Sequence, residues 1–201
     1  MARTVDPNRV AERREAIVRA AGVLFAEHGY EGTTAAQIAR AAGLSSASVF
    51  YYFADKAAVF RAIFESSIPE HAEMLARHRD REDCAAAIVD IAETLAAEVL
   101  DPSAPGLMVE LLRRMDHDPA LTEIVLEDAR RSAEVIAELL RRGMADGQFE
   151  PGFAPERFAR WILAIVDAAF LNCDPADPQD PRPLVRATIC RLLCPLGMEA
   201  R

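Results

Sequence analysis

Apolar residues recur along the whole chain at spacings of three and four, the period of an amphipathic helix. No stretch alternates in the two-residue period of a strand for longer than a helix would explain. The first stripe is Ile17, Ala21, Leu24 and Phe25, and Gly29 ends it. A second, shorter one comprises Ala35, Ile38, Ala39 and Ala42. It opens at Thr34, whose hydroxyl can cap free backbone N–H groups, and closes at Gly43, which supplies the positive φ of a helix end. After a tight turn with Leu44 as its apolar residue, Ser45 is a second N-cap. Val49 and Phe53, four apart, then face inward while Ala47, Ser48 and Tyr51 point the other way.

Beyond residue 60 the helical pattern continues, with candidate helices at about 56–79 (broken at Pro69), 83–100, 106–116, 119–145, 155–171 and 182–194. Asp-, Pro- and Gly-rich segments at 101–106, 146–147, 151–152 and 174–181 separate them. The pattern predicts an all-α protein: an N-terminal three-helix unit with a helix-turn-helix motif at 34–53, then a larger helical bundle.

The outward face at 45–53 carries the most specific chemistry. A solvated helix face is normally built of Glu and Lys, whereas this one offers short hydroxyls, a methyl and large aromatics. Such a face suits contact with another surface. An α-helix fits the major groove of DNA, where Ser or Thr can bond either base type and apolar groups meet the thymine methyl. Downstream, Asp55 caps another helix and places Lys56 in its first turn, where the helix dipole disfavours a cation. A phosphate shared between that ammonium and the helix N-terminus would offset this.

These residues carry a resemblance. The segment at about 11–60 combines Phe25-Ala26-Glu27-His28-Gly29-Tyr30, the Thr33-Thr34 cap, Ile38-Ala39 with Ala42-Gly43, and Tyr51-Tyr52-Phe53-Ala54-Asp55-Lys56. Together they resemble the DNA-binding domain of the TetR family of bacterial transcriptional repressors. The resemblance implies a basic arm at 1–10, a helix-turn-helix domain at 11–60, and a helical ligand-binding and dimerisation domain at 61–201. It implies a homodimer on a palindromic operator of double-stranded DNA, released by a small-molecule inducer. Ser46, Ala47, Ser48 and Phe50 would approach base edges beside the cap Ser45, and Thr34, Tyr51, Tyr52 and Lys56 would hold phosphates. Phe50 stands where the family usually has tyrosine and Ala47 where it commonly has glycine or proline, so the role left to Phe50 is an apolar contact with thymine.

Composition adjusts this picture. A net charge of −9 opposes DNA binding as a sum, but its distribution does not. Residues 1–61 hold 8 Lys and Arg against 6 Asp and Glu, leaving +2; residues 62–201 hold 15 against 26, leaving −11. Arg3, Arg9, Arg13 and Arg14 are expected ahead of the first helix and read either as an arm reaching DNA or as a solvated tail. The hydrophobic content of 51% is ample for a helical core, and no uncharged apolar run approaches the roughly 18 residues of a membrane span. The N-terminus lacks the apolar core of a secretory signal, so the expected location is the cytoplasm.

The last two candidate helices are too apolar for isolated exposure. By the resemblance, Trp161, Ile165, Leu184, Ile189 and Leu192 would join a four-helix dimer interface; the alternative is that such residues fill the monomer's core. Met108, Leu111, Leu112 and Met115, with Phe170 and Asn172, are candidates to line a largely apolar ligand pocket, although such a stripe is also ordinary core. His71, His78 and His117 match no metal spacing and are expected at the surface. Cys84, Cys173, Cys190 and Cys194 read as small apolar core or interface residues. No phosphate-cradling loop, metal-binding His motif or nucleophile–base pattern is present, which argues against an enzyme, and no cofactor is expected. The competing class is a helical protein-interaction module that has lost specific DNA binding. Phe50, Ala47 and the small positive charge are the features in its favour.

Overall fold

The computed structural model describes residues 7–150, 152–174, 176 and 179–193. Among them are ten α-helices and no strand. They are α1 Pro7–Gly32, α2 Ala35–Ala41, α3 Ser46–Tyr52, α4 Lys56–Glu65, α5 Ile68–Arg79, α6 Cys84–Ala97, α7 Ala104–Met115, α8 Pro119–Ala145, α9 Pro155–Leu171 and α10 Arg182–Leu193. A 3-10 turn at Glu98–Leu100 extends α6.

Three boundaries differ from the sequence pattern for physical reasons. Helix α1 opens at Pro7, a residue suited to a helix's first position, so Asn8, Arg9 and Val10 are helical where an arm was expected. Gly29 does break α1, at φ 72° and ψ 167°, but helical structure resumes to Gly32. The long 56–79 element is two helices separated at Ser66 and Ser67, and Pro69 lies in the first turn of α5, where its missing N–H costs nothing.

The chain forms two compact units. The first comprises the residues through Ser67 together with Gly106–Ile124. The second comprises Ile68–Pro105 and the residues from Val125 onward.

In the first unit Ile17, Ala21 and Phe25 of α1, Ile38 and Ala39 of α2, Val49 and Phe53, and Val59 and Phe60 of α4 form the buried interior. An aromatic cluster fixes its centre. The Phe25 and Tyr30 rings stack at 5.4 Å, and Phe60 meets them edge-on at 5.1 and 5.4 Å. Leu111 and Leu121 are also buried in this unit. The second unit is built around α6, whose Ala87, Ile88, Ile91, Ala92 and Ala96 are fully enclosed with Ile136, Leu139 and Leu140 of α8, Ile162 of α9 and Ile189 of α10. Ile189, expected at a dimer interface, therefore belongs to the unit's own core.

Candidate nucleic-acid interface

Each helix of the motif is held at its start by a side chain. Thr34 accepts from the Gln37 backbone N–H at 3.3 Å, and the Gln37 side-chain oxygen accepts the Thr34 N–H at 2.7 Å. This reciprocal pair is a capping box. Gln37 was missed by the sequence reading, although its place three residues after Thr34 is the signal for it. Gly43 turns the chain at φ 68° as expected. Ser45 caps α3 by accepting the Ser48 N–H, and the two serine hydroxyls lie 2.8 Å apart. Asp55 caps α4 through the Ala58 N–H at 2.6 Å.

The orientation of α3 follows its sequence period. Val49 and Phe53 are buried, while Ser46 and Ala47 are exposed, Phe50 is 55% exposed and Tyr51 is 68% exposed. Ser48 is half-buried, with its hydroxyl engaged by Ser45. Tyr52 is half-buried and meets Tyr51 edge-on at 5.0 Å. Two large aromatics thus stand in solvent on a helix whose polar complement is only hydroxyls.

Two cations beside the motif, Arg14 and Lys56, are engaged within the unit. Arg14 donates to the Tyr52 carbonyl at 2.7 Å and lies 4.2 Å from the centre of the Phe53 ring, fixing the end of α3 to α1. It therefore forms neither an arm nor a free tail, and Arg9 and Arg13 lie in α1 with it; Arg3 is outside the described residues. Lys56 donates to the carbonyls of Tyr30 at 2.7 Å and Thr33 at 3.1 Å, and its ammonium lies 4.2 Å from the Tyr30 ring centre. Carbonyls at the end of α1 thus supply the negative partner that a cation at the start of α4 requires. Opposite them, the buried Glu110 accepts the Tyr30 backbone N–H at 2.8 Å and an Arg113 N–H at 2.7 Å. Arg114 lies over the Tyr30 ring at 3.7 Å. Burial pushes the Tyr30 phenol above its ordinary range, with Arg114 opposing.

The other candidate residues fall as follows. Met108, Leu111, Leu112 and Met115 belong to the first unit, where Leu111 is core and Leu112 is 53% exposed; Phe170 and Asn172 belong to the second. Of the four, Leu111 is enclosed, Met108 and Met115 are half-buried and Leu112 is exposed, so they do not share one buried stripe within the unit. A groove of about 910 Å³ lies between α9 and α10, lined by Trp161, Ile165, Asn172 and Leu184 among others. Trp161 and Leu184 are largely exposed beside it, and Leu192 is partly exposed. Cys84 is buried, Cys173 half-buried and Cys190 exposed; Cys194 is outside the described residues.

His71 departs from its expected surface placement. Its ring nitrogens lie 2.7 Å from Asp128 and 2.5 Å from Glu98, partners distant in sequence, and these bonds raise its pKa to about 10 despite opposing burial. A histidine raised above its unfolded value of 6.5 stabilises the fold fully below that pH and loses the contribution as the pH climbs toward 10. Thermal unfolding between about pH 6 and 10 should therefore show a loss of roughly 2 kcal/mol, after discounting for solvent screening, and His71→Gln should flatten the profile.

Known proteins agree with this architecture. Residues 17–63 match the family model of bacterial regulatory proteins, tetR family. The HTH-type transcriptional repressor Rv1474c of Mycobacterium tuberculosis is 30% identical over 138 residues, covering 69% of this chain and 70% of that repressor. The chain belongs to the tetR family. Its tetR-type fold recurs in the fatty acid degradation regulator FadR of Bacillus halodurans, at a TM-score of 0.78, 21% identity and coverage of 99% and 100% of the two chains. It recurs also in AibR, solved with isovaleryl coenzyme A and operator DNA, at a TM-score of 0.75, 17% identity and coverage of 92% and 100%. The helix-turn-helix of this tetR-family regulator lies within the span that the family model matches.

Proposed function

We propose that the protein is a dimeric transcriptional repressor that binds a palindromic operator through α3 and releases it on binding a largely apolar small molecule. The observation that carries the reading is the outward face of α3, uncharged and small at Ser46 and Ala47, with Phe50 and Tyr51 more than half exposed. Ser46, Ala47 and Phe50 would meet base edges, with Ser45 and Ser48 acting mainly to fix the helix start. Thr34, Tyr51 and Tyr52 would meet phosphates, and Lys56 would hold the unit's geometry.

The exposed apolar groove between α9 and α10 supports a second copy as occupant, which would set two recognition helices roughly 34–36 Å apart, one turn of DNA. A small-molecule ligand is suggested by the structural neighbour solved with isovaleryl coenzyme A, of which the acyl chain is the apolar part. Among the described residues no helix is long and apolar enough to cross a membrane, consistent with work in the cytoplasm.

Selection of bound duplexes from a random pool tests the reading. A recovered two-fold motif is expected, with Leu184→Glu converting a dimer to a monomer by light scattering. A folded dimer that retains no motif would overturn it.

A further inference from the structure

Sequence recognition in the major groove rests on hydrogen bonds to base edges and on contact with the thymine methyl. The strongest base discrimination comes from bidentate side chains such as Arg on guanine and Asn or Gln on adenine. Helix α3, Ser46-Ala47-Ser48-Val49-Phe50-Tyr51-Tyr52, has none of these. Its hydroxyl supply is reduced further, because Ser45 and Ser48 bond one another at 2.8 Å and Ser45 also caps the helix. What remains outward is Ser46, the Tyr51 ring assigned above to phosphate, and an apolar stripe. Ala47 and Phe50 are three apart, on one face, and Phe50 exposes 55% of its surface with no ring partner among the described aromatic contacts.

An exposed phenylalanine ring beside an alanine methyl can discriminate base pairs only by shape and by burying an apolar group. Of the four natural base edges, only thymine presents one in the major groove, its 5-methyl. We infer that this regulator reads its operator chiefly through thymine 5-methyl groups packed against Phe50 and Ala47. The inference rests on the operator-binding reading above and deepens it by naming the chemical feature recognised.

The test uses the full-length dimer and the operator recovered by selection. Binding is measured to that duplex, to the same duplex with half-site thymines replaced by uracil, and to one with those T·A pairs replaced by 5-methylcytosine·guanine. Uracil keeps every hydrogen-bonding group and removes only the methyl. Each buried methyl lost should weaken binding about fourfold, so one per half-site gives about fifteenfold for the palindrome. The 5-methylcytosine duplex should recover more affinity than its unmethylated cytosine counterpart.

Phe50→Ala should bring the thymine-to-uracil ratio close to one, a change that a general loss of affinity would not produce. Phe50→Leu, which keeps an apolar contact, should retain part of the ratio. Equal binding to the thymine and uracil operators would overturn the inference while leaving the regulator reading standing. A selection that recovers no motif would overturn both.

Discussion

Lys56→Met should destabilise the helix-turn-helix unit by about 2–3 kcal/mol and weaken DNA binding, yet leave the salt dependence of that binding unchanged. The ammonium makes two bonds to backbone carbonyls, at 2.7 Å to Tyr30 and 3.1 Å to Thr33, and lies over the Tyr30 ring. Hydrogen bonds to charged groups contribute roughly 1.5–3 kcal/mol each and a cation over an aromatic face about 0.5–2 kcal/mol. Lys56 is only half-buried and keeps part of its hydration, so the total falls below the roughly 3.5 kcal/mol of the low ends of these ranges. Methionine keeps the length of the stem and removes the donors, leaving the Tyr30 and Thr33 carbonyls without them.

The salt dependence separates this role from a phosphate contact. A cation that neutralises a phosphate releases counterions, and its removal lowers the slope of log affinity against log salt by about 0.9. A clamp that positions α4 against the end of α1 lowers the affinity at every salt concentration by the same factor. Urea unfolding gives the first quantity and fluorescence titration over a salt series the second. A slope reduced by about one unit with unaltered stability would place Lys56 on the DNA instead.

Lys56 also marks the limit of what the sequence made legible. The caps Thr34, Ser45 and Asp55, the inward pair Val49 and Phe53, and the turn at Gly43 are local features, set by contacts within four residues, and all appear in the structure. The lysine's unfavourable place at a helix start was equally visible, but its partners lie 23 and 26 residues upstream, and no spacing rule encodes them. His71 is the same case, with partners 27 and 57 residues away.

The glycines divide along the same line. Gly106, at the edge of a segment that reads as a turn, and Gly143 lie inside α7 and α8. A Cβ on Gly106 would lie 2.7 Å from the Ala26 carbonyl oxygen, and one on Gly143 would lie 2.3 Å from the Phe149 ring. Their selection reflects close approach in the folded units, which the one-dimensional pattern cannot distinguish from a turn. For the same reason the grouping of Gly106–Ile124 with the helix-turn-helix was invisible: amphipathic spacing shows that a helix has a buried face, not which core buries it.

What retains that segment in the first unit yields the second large effect, at Asp118. Its carboxylate is 7% exposed, accepts from Arg61 Nη1 on both oxygens at 3.1 and 2.9 Å, and also accepts the Leu121 backbone N–H at 3.1 Å at the start of α8. Asp118→Ala removes an ion pair and a helix cap together. Breaking a buried pair costs about 3–5 kcal/mol and losing a cap about 1 kcal/mol. Because the Arg61 side chain is a quarter exposed and can recover some hydration, the expected total is about 3 kcal/mol. Asp118→Asn preserves an acceptor for Leu121 and should cost about half as much. Combining Asp118→Ala with Arg61→Met should cost clearly less than the sum of the single changes, since the second substitution removes the guanidinium that the first leaves with only the exposed Asp55 carboxylate at 4.0 Å. Base preference should be the same in all these variants, because none alters the outward face of α3. If the double variant instead proved additive, the pair would contribute nothing beyond the cap, and the segment would be held by Leu111, Leu121 and the Glu110 contact to Tyr30.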